Sequence, residues 1–68
     1  MKHLKEEVIA KTEDYIVFTL SYGDSTRYCI EYRKEFNGGP YPWYQTLEGV
    51  KEALYYHGLL ESKDSPLG

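Results

Sequence analysis

The stretch YIVFTLSYGDSTRYCIEYR, residues 15–33, decides the fold. In Tyr15 to Tyr22, Ile16, Phe18, Leu20 and Tyr22 alternate with Tyr15, Val17, Thr19 and Ser21. That period of two is the mark of a half-buried strand. A second strand is predicted from about Thr26 to Glu35, where Tyr28, Ile30 and Tyr32 alternate with Arg27, Cys29, Glu31 and Arg33. Gly23-Asp24 between them reads as a hairpin turn. A two-residue loop would pair Leu20 with Arg27 and Ile16 with Glu31, setting apolar residues against charges. A three-residue loop, Gly23 to Ser25, pairs Leu20 with Tyr28, Phe18 with Ile30 and Ile16 with Tyr32. Because a slip of one residue inverts a strand's faces, the hydrophobic pattern favours the three-residue loop.

Outward from this hairpin, an earlier strand is predicted from about Lys5 to Lys11, turning at Glu13-Asp14. Its facing is open: either Ile9, or Val8 with Ala10, points inward. A helix over Lys2 to Lys11 is weaker, since only Leu4 and Val8 keep helical spacing. Asn37, Gly38, Gly39, Pro40 and Pro42 mark a loop from Phe36 to Pro42. Residues 41–44 are predicted extended, as a possible short fourth strand, because the residue before a proline is pushed out of the helical region. A helix follows. Thr46 is its N-cap candidate, and Glu48 sits in the first turn, where the dipole favours an acid. Leu47, Val50, Ala53, Leu54 and His57 fall on one face. Gly58 stands where a left-handed residue ends a helix, which places Leu59 against Leu54.

The expected fold is α+β: a three-stranded antiparallel meander, with that possible fourth strand, packed on one C-terminal helix in the order β-β-β-α. Residues 1–60 form one domain and 61–68 a frayed polar tail. The helix is expected over Ile16, Phe18, Leu20, Tyr28, Ile30 and Tyr32. The expected core is Ile16, Phe18, Leu20, Ile30, Val50 and Leu54. The order of elements recurs in unrelated small proteins, phage-encoded inhibitors and DNA-binding arms among them, and fold does not carry function.

Composition narrows the function. Eleven of the 68 residues are aromatic, eight of them tyrosine. A domain of this size buries only about 60% of its unfolded surface. Some of these large, half-polar rings must therefore lie outside, where they are favoured at contact surfaces. Cys29 is the single cysteine, so no intrachain disulfide forms, and with only His3 and His57 beside it no zinc site is expected. Oligomerisation or a partner is the remaining means of stabilising so small a chain. A lone cysteine fits a reducing compartment. Met1 to Glu7 is charged, so no signal peptide is expected, and no segment nears the roughly 20 apolar residues of a membrane span. The chain is expected to be soluble and cytoplasmic. Its net charge of −3 disfavours simple binding to a phosphate backbone.

One helix covers one face of a sheet. The other is expected to carry Tyr15, Val17, Arg27, Cys29, Glu31 and Arg33, with Ile9 or Val8 beside them, either as a wetted surface or as a contact surface for a second copy or another protein. Tyrosine beside arginine is typical of interface hot spots. In Pro40-Tyr41-Pro42-Trp43-Tyr44, Trp43 either folds over the open end of the core or stands exposed. Tyr41 and Tyr44 lose less entropy on binding because the prolines restrain them. Tyr55 and Tyr56 lie on the helix flank. Catalysis has little support: Cys29 is mid-strand with no base placed beside it, His57 suits the helix's last carbonyls, and Gly38-Gly39 lacks the helix, lysine and hydroxyl of a phosphate loop.

The expected function is therefore that of a non-enzymatic protein–protein interaction module, an inhibitor or adaptor acting by surface occupancy, without cofactor or metal. Size and style suggest a phage-encoded protein. The expected contact residues are Tyr15, Arg27, Arg33, Tyr41 and Tyr44, and a homodimer is expected through the uncovered face and a free strand edge. The alternative is single-stranded nucleic-acid binding, in which sheet aromatics stack bases, although the basic groove is missing. Phe18→Ala is expected to cost about 3–5 kcal/mol. A chemical denaturation curve little changed from that of the parent chain would remove Phe18 from the buried set.

Overall fold

A computed structural model describes residues 4–34 and 41–67. Expectations for Glu35, for most of the glycine- and proline-rich loop at 36–40, and for Gly68 lie outside the described residues. The elements are β1 (Lys5–Lys11), β2 (Tyr15–Tyr22), β3 (Ser25–Tyr32), β4 (Trp43–Tyr44) and α1 (Leu47–Tyr56). The strands pair antiparallel in the order β1-β2-β3-β4, and α1 packs on one side. This is the predicted α+β meander with its short fourth strand present. Among the described residues no helix is long and apolar enough to cross a membrane.

The register between β2 and β3 corrects the sequence expectation. Tyr22 pairs with Ser25, so the loop is the two residues Gly23-Asp24. Gly23 has φ 62°, which a side chain rarely tolerates. Glycine at the first central position with positive φ is the pattern of a II′ turn, whose twist matches the strands it joins. The pairs are Tyr15 with Tyr32, Val17 with Ile30 and Thr19 with Tyr28. The side facing α1 thus takes Tyr15 and Val17 from β2, not Ile16, Phe18 and Leu20. Those three lie opposite Glu31, Cys29 and Arg27 on the far side. β2 is apolar on both sides, so its pattern cannot choose a face and the turn geometry does.

The core under the helix is Ala10, Tyr15, Val17, Ile30, Val50 and Leu54. Ile30, Val50 and Leu54 were expected there. Phe18 is buried, but on the far side, and Ile16 and Leu20 are half-buried there. The facing of β1 is settled by a bulge. Val8 pairs with Phe18 and Ala10 with Val17, leaving Ile9 over. Val8 and Ala10 therefore face opposite sides, an arrangement that strict alternation does not contain. Thr12 closes the β1–β2 turn: its Oγ1 accepts from the Asp14 and Tyr15 amides, both at 3.1 Å.

Both helix ends follow the sequence signals. Thr46 Oγ1 accepts from the Gly49 amide at 3.2 Å. Gly49 also lets α1 approach β4, since a Cβ there would lie 3.2 Å from that of Tyr44. At the other end Gly58, φ 76°, donates to the Tyr55 carbonyl, and Leu59 donates to Leu54. These two bonds make a Schellman motif. The tail expected to fray instead turns at Ser62 to Ser65, and Leu67 packs against the core. A polar stretch with one leucine is held because that leucine reaches apolar surface.

The face assignment has a direct check. Ile30→Ala, fully buried under α1, is expected to cost about 2–5 kcal/mol, and Leu20→Ala, half-exposed on the far side, less than half of that. Urea midpoints measure both. Equal losses would place Leu20 in the core and restore the rejected register.

Candidate functional site

Among the described residues, no helix lies over the far side of the sheet. Register places its side chains in three rows across the strands. The middle row is Val8, Phe18, Cys29 and Trp43. On one flank stand Glu6, Leu20 and Arg27; on the other, Lys11, Ile16 and Glu31. Tyr41, just before β4, adds its ring edge-on to Phe18, with centroids 5.4 Å apart and planes at 89°.

Two contacts hold charged groups in place here. The Arg27 guanidinium lies over the Trp43 ring, 4.3 Å from its centre, a cation–π geometry. The Tyr41 hydroxyl donates to Glu31 Oε1 at 3.0 Å. That bond is the main reason the Tyr41 pKa is raised. It favours the protonated phenol, so its contribution is present below the ordinary tyrosine range and lost as pH rises through the raised value. Apolar surface remains open around these contacts: Val8 is 55% exposed, Trp43 46% and Tyr41 38%.

Cys29 is buried in the middle of this row. Burial pushes its thiol pKa up; Arg27 opposes that and Glu6 adds to it. A thiol kept protonated is a poor nucleophile, which agrees with a packing role.

The five expected contact residues separate. Arg27 and Tyr41 meet on this face. Tyr15 does not: it is 3% exposed, inside the core beneath α1, because the two-residue turn gave β2 the opposite facing. Tyr44 is in β4, half-buried on the helix side against Gly49. Arg33 lies past the end of β3, where its Nη1 donates to the Thr12 carbonyl at 3.1 Å and its amide to the Asp14 carbonyl at 3.0 Å. Those bonds give it a role in closing that end of the sheet. Trp43 does not cap the core; it stands on the far face. Val8 takes the place on this face that the sequence left open between it and Ile9; sequence reasoning missed Phe18 and Glu6, and correct turn length was the signal that would have found the first.

On the helix flank, Tyr55 and Tyr56 pack edge to face at 5.6 Å, with Lys63 of the tail 5.1 Å from the Tyr56 ring centre. His57 stacks on Tyr32 at 4.4 Å, so its ring serves packing, while its amide donates to the Ala53 carbonyl. No family model, curated protein or solved structure matches the chain.

Cys29 is expected to react with a thiol reagent only as the sheet opens, so labelling should follow the urea unfolding curve. Rapid, complete labelling of the native protein at neutral pH would show the middle row to be open.

Proposed function

We propose that the chain is a non-enzymatic protein-binding module, an inhibitor or adaptor that acts by occupying a partner's surface. The observation that carries this is the uncovered sheet face, with Trp43, Tyr41 and Val8 open beside a guanidinium already stacked in place. Aromatic residues and arginine are the types that dominate interface energetics. Groups fixed before binding lose less freedom on binding. Arg27 and Tyr41 remain in the contact set from the sequence; Trp43 joins them, and Tyr15 leaves it as a core residue. A small acidic chain of this kind fits a phage-encoded inhibitor in size and style, and the free thiol of Cys29 fits the cytoplasm.

Single-stranded nucleic acid is the second reading, favoured by aromatic rings and an arginine together on a sheet. On this face Glu6 and Glu31 cancel Lys11 and Arg27, so it lacks the net positive charge that a phosphate backbone needs, which puts protein binding first.

Pull-down from native lysate with variants tests both. Arg27→Ala, Tyr41→Ala and Trp43→Ala are each expected to weaken capture of the partner about thirtyfold, the effect of losing about 2 kcal/mol. Lys51→Ala and Glu52→Ala on the helix should change it little. The opposite pattern moves the working surface to the helix, and salt-sensitive retention on a single-stranded oligonucleotide supports nucleic acid instead.

A further inference from the structure

The charges on the uncovered face alternate. In one flanking row Glu6 stands on β1 and Arg27 on β3; in the other, Lys11 stands on β1 and Glu31 on β3. The signs are therefore reversed from row to row, with Leu20 and Ile16 between them on β2. These two acids and two bases cancel, on a chain whose net charge is −3. Among the described residues the one ion pair is Lys34 with Asp14, so Glu6, Lys11 and Arg27 keep their charge for an outside group. The field of Glu6 reaches both Cys29 and Tyr41, as a group on this face should.

Such a pattern meets its own image well. A half-turn about an axis along the apolar row brings Glu6 opposite Lys11 of a second copy, and Arg27 opposite its Glu31. Leu20 then faces Ile16, and the exposed Val8 and Trp43 each face themselves, with Phe18 buried between them. We propose that this face binds a second copy of the chain, stacked sheet to sheet across a two-fold axis lying along the row Val8–Phe18–Cys29–Trp43. The inference rests on the reading that this face is a protein-contact surface, and it names the occupant. The contact is isologous and closed, so it ends at a dimer. Stacked sheets lie about 10 Å apart, room for one interdigitated layer of these side chains. Arg27, held by Trp43, and Glu31, held by Tyr41, present their charges already placed.

The area sets the strength. Three strands of seven or eight residues and the two residues of β4, about 4.8 Å apart, cover roughly 400 Å² per copy in projection. Two copies together bury about 800 Å², below the roughly 1,200 Å² at which stable interfaces begin, so the dimer is weak and forms with concentration. Pairing through the free edge of β1 is a poorer route, because the bulge at Ile9 interrupts the row of hydrogen-bonding groups that edge pairing needs.

Sedimentation equilibrium from about 10 μM to about 1 mM at low salt covers the range in which so small an interface should assemble. The parent chain is expected to pass from monomer to dimer. Glu6→Lys and Lys11→Glu, both at exposed positions, each set like charges against one another twice per dimer and should weaken association about tenfold or more. Mixed one to one, the two variants should dimerise again, because each supplies the charge the other needs. That recovery also shows that both are folded. A parent chain that stays monomeric throughout, single variants that associate like the parent, or a mixture that stays monomeric overturns the proposal. The wider reading fails separately: it falls if Arg27→Ala, Tyr41→Ala and Trp43→Ala leave partner capture unchanged, whatever the mass of the parent chain.

Discussion

The turn at Gly23-Asp24 governs both sides of the sheet. With two residues in the loop, Tyr22 meets Ser25 and every pair down the hairpin is fixed. With three, each residue of one strand would face the other way. Glycine's freedom at φ 62° is what admits the shorter loop. From that local fact follows a core lined by Val17 and Ile30, and a far side that receives Phe18, Leu20 and Ile16. The exposed aromatic surface is a product of turn geometry as much as of composition.

Much of the fold was legible. The three long strands, the short fourth, the helix, its threonine cap and its glycine terminator stand where periodicity and end signals put them. These depend on neighbours within four or five residues. The facing of β2 depends on something else. Its two sides, Tyr15 and Val17 against Ile16, Phe18 and Leu20, are similar in apolarity, and the larger set looked like the core. Helix packing instead uses Val17 with two flanking tyrosine rows, which suits a helix carrying Val50, Leu54 and a glycine near its start. The bulge in β1 was equally hidden, since no residue of Lys5–Lys11 is a glycine that would mark it. Of the site, Arg27 was found because its side of the sheet was assigned correctly for β3, and Tyr41 because the prolines beside it marked it. Tyr15 was lost with the register of β2.

The domain makes up for its size at its margins. Among the described residues the fully buried side chains are few, Ile30, Leu54, Val17 and Val50 being the largest. Around them half-buried tyrosines and the leucines after the helix extend the apolar contact. Tyr28, Tyr32 and Tyr44 bring ring area inward against the core, and the Tyr32 hydroxyl is itself buried with its ring. Tyrosine is thus abundant for two reasons: on the helix side it widens the core, and at Tyr41 it fixes a carboxylate on the open side.

The bulge at Ile9 has a consequence for chain length. Val8 and Ala10 already face opposite sides, as two adjacent residues of a regular strand would. Loss of Ile9 would close the ladder and leave every other side chain of β1 on its present side. Loss of a neighbouring residue with the bulge kept would instead turn the outer half of the strand over, exchanging Glu6 and Val8 for residues of the other side. Tolerance to insertion and deletion in β1 is therefore concentrated at a single position, inside a strand and not in a loop.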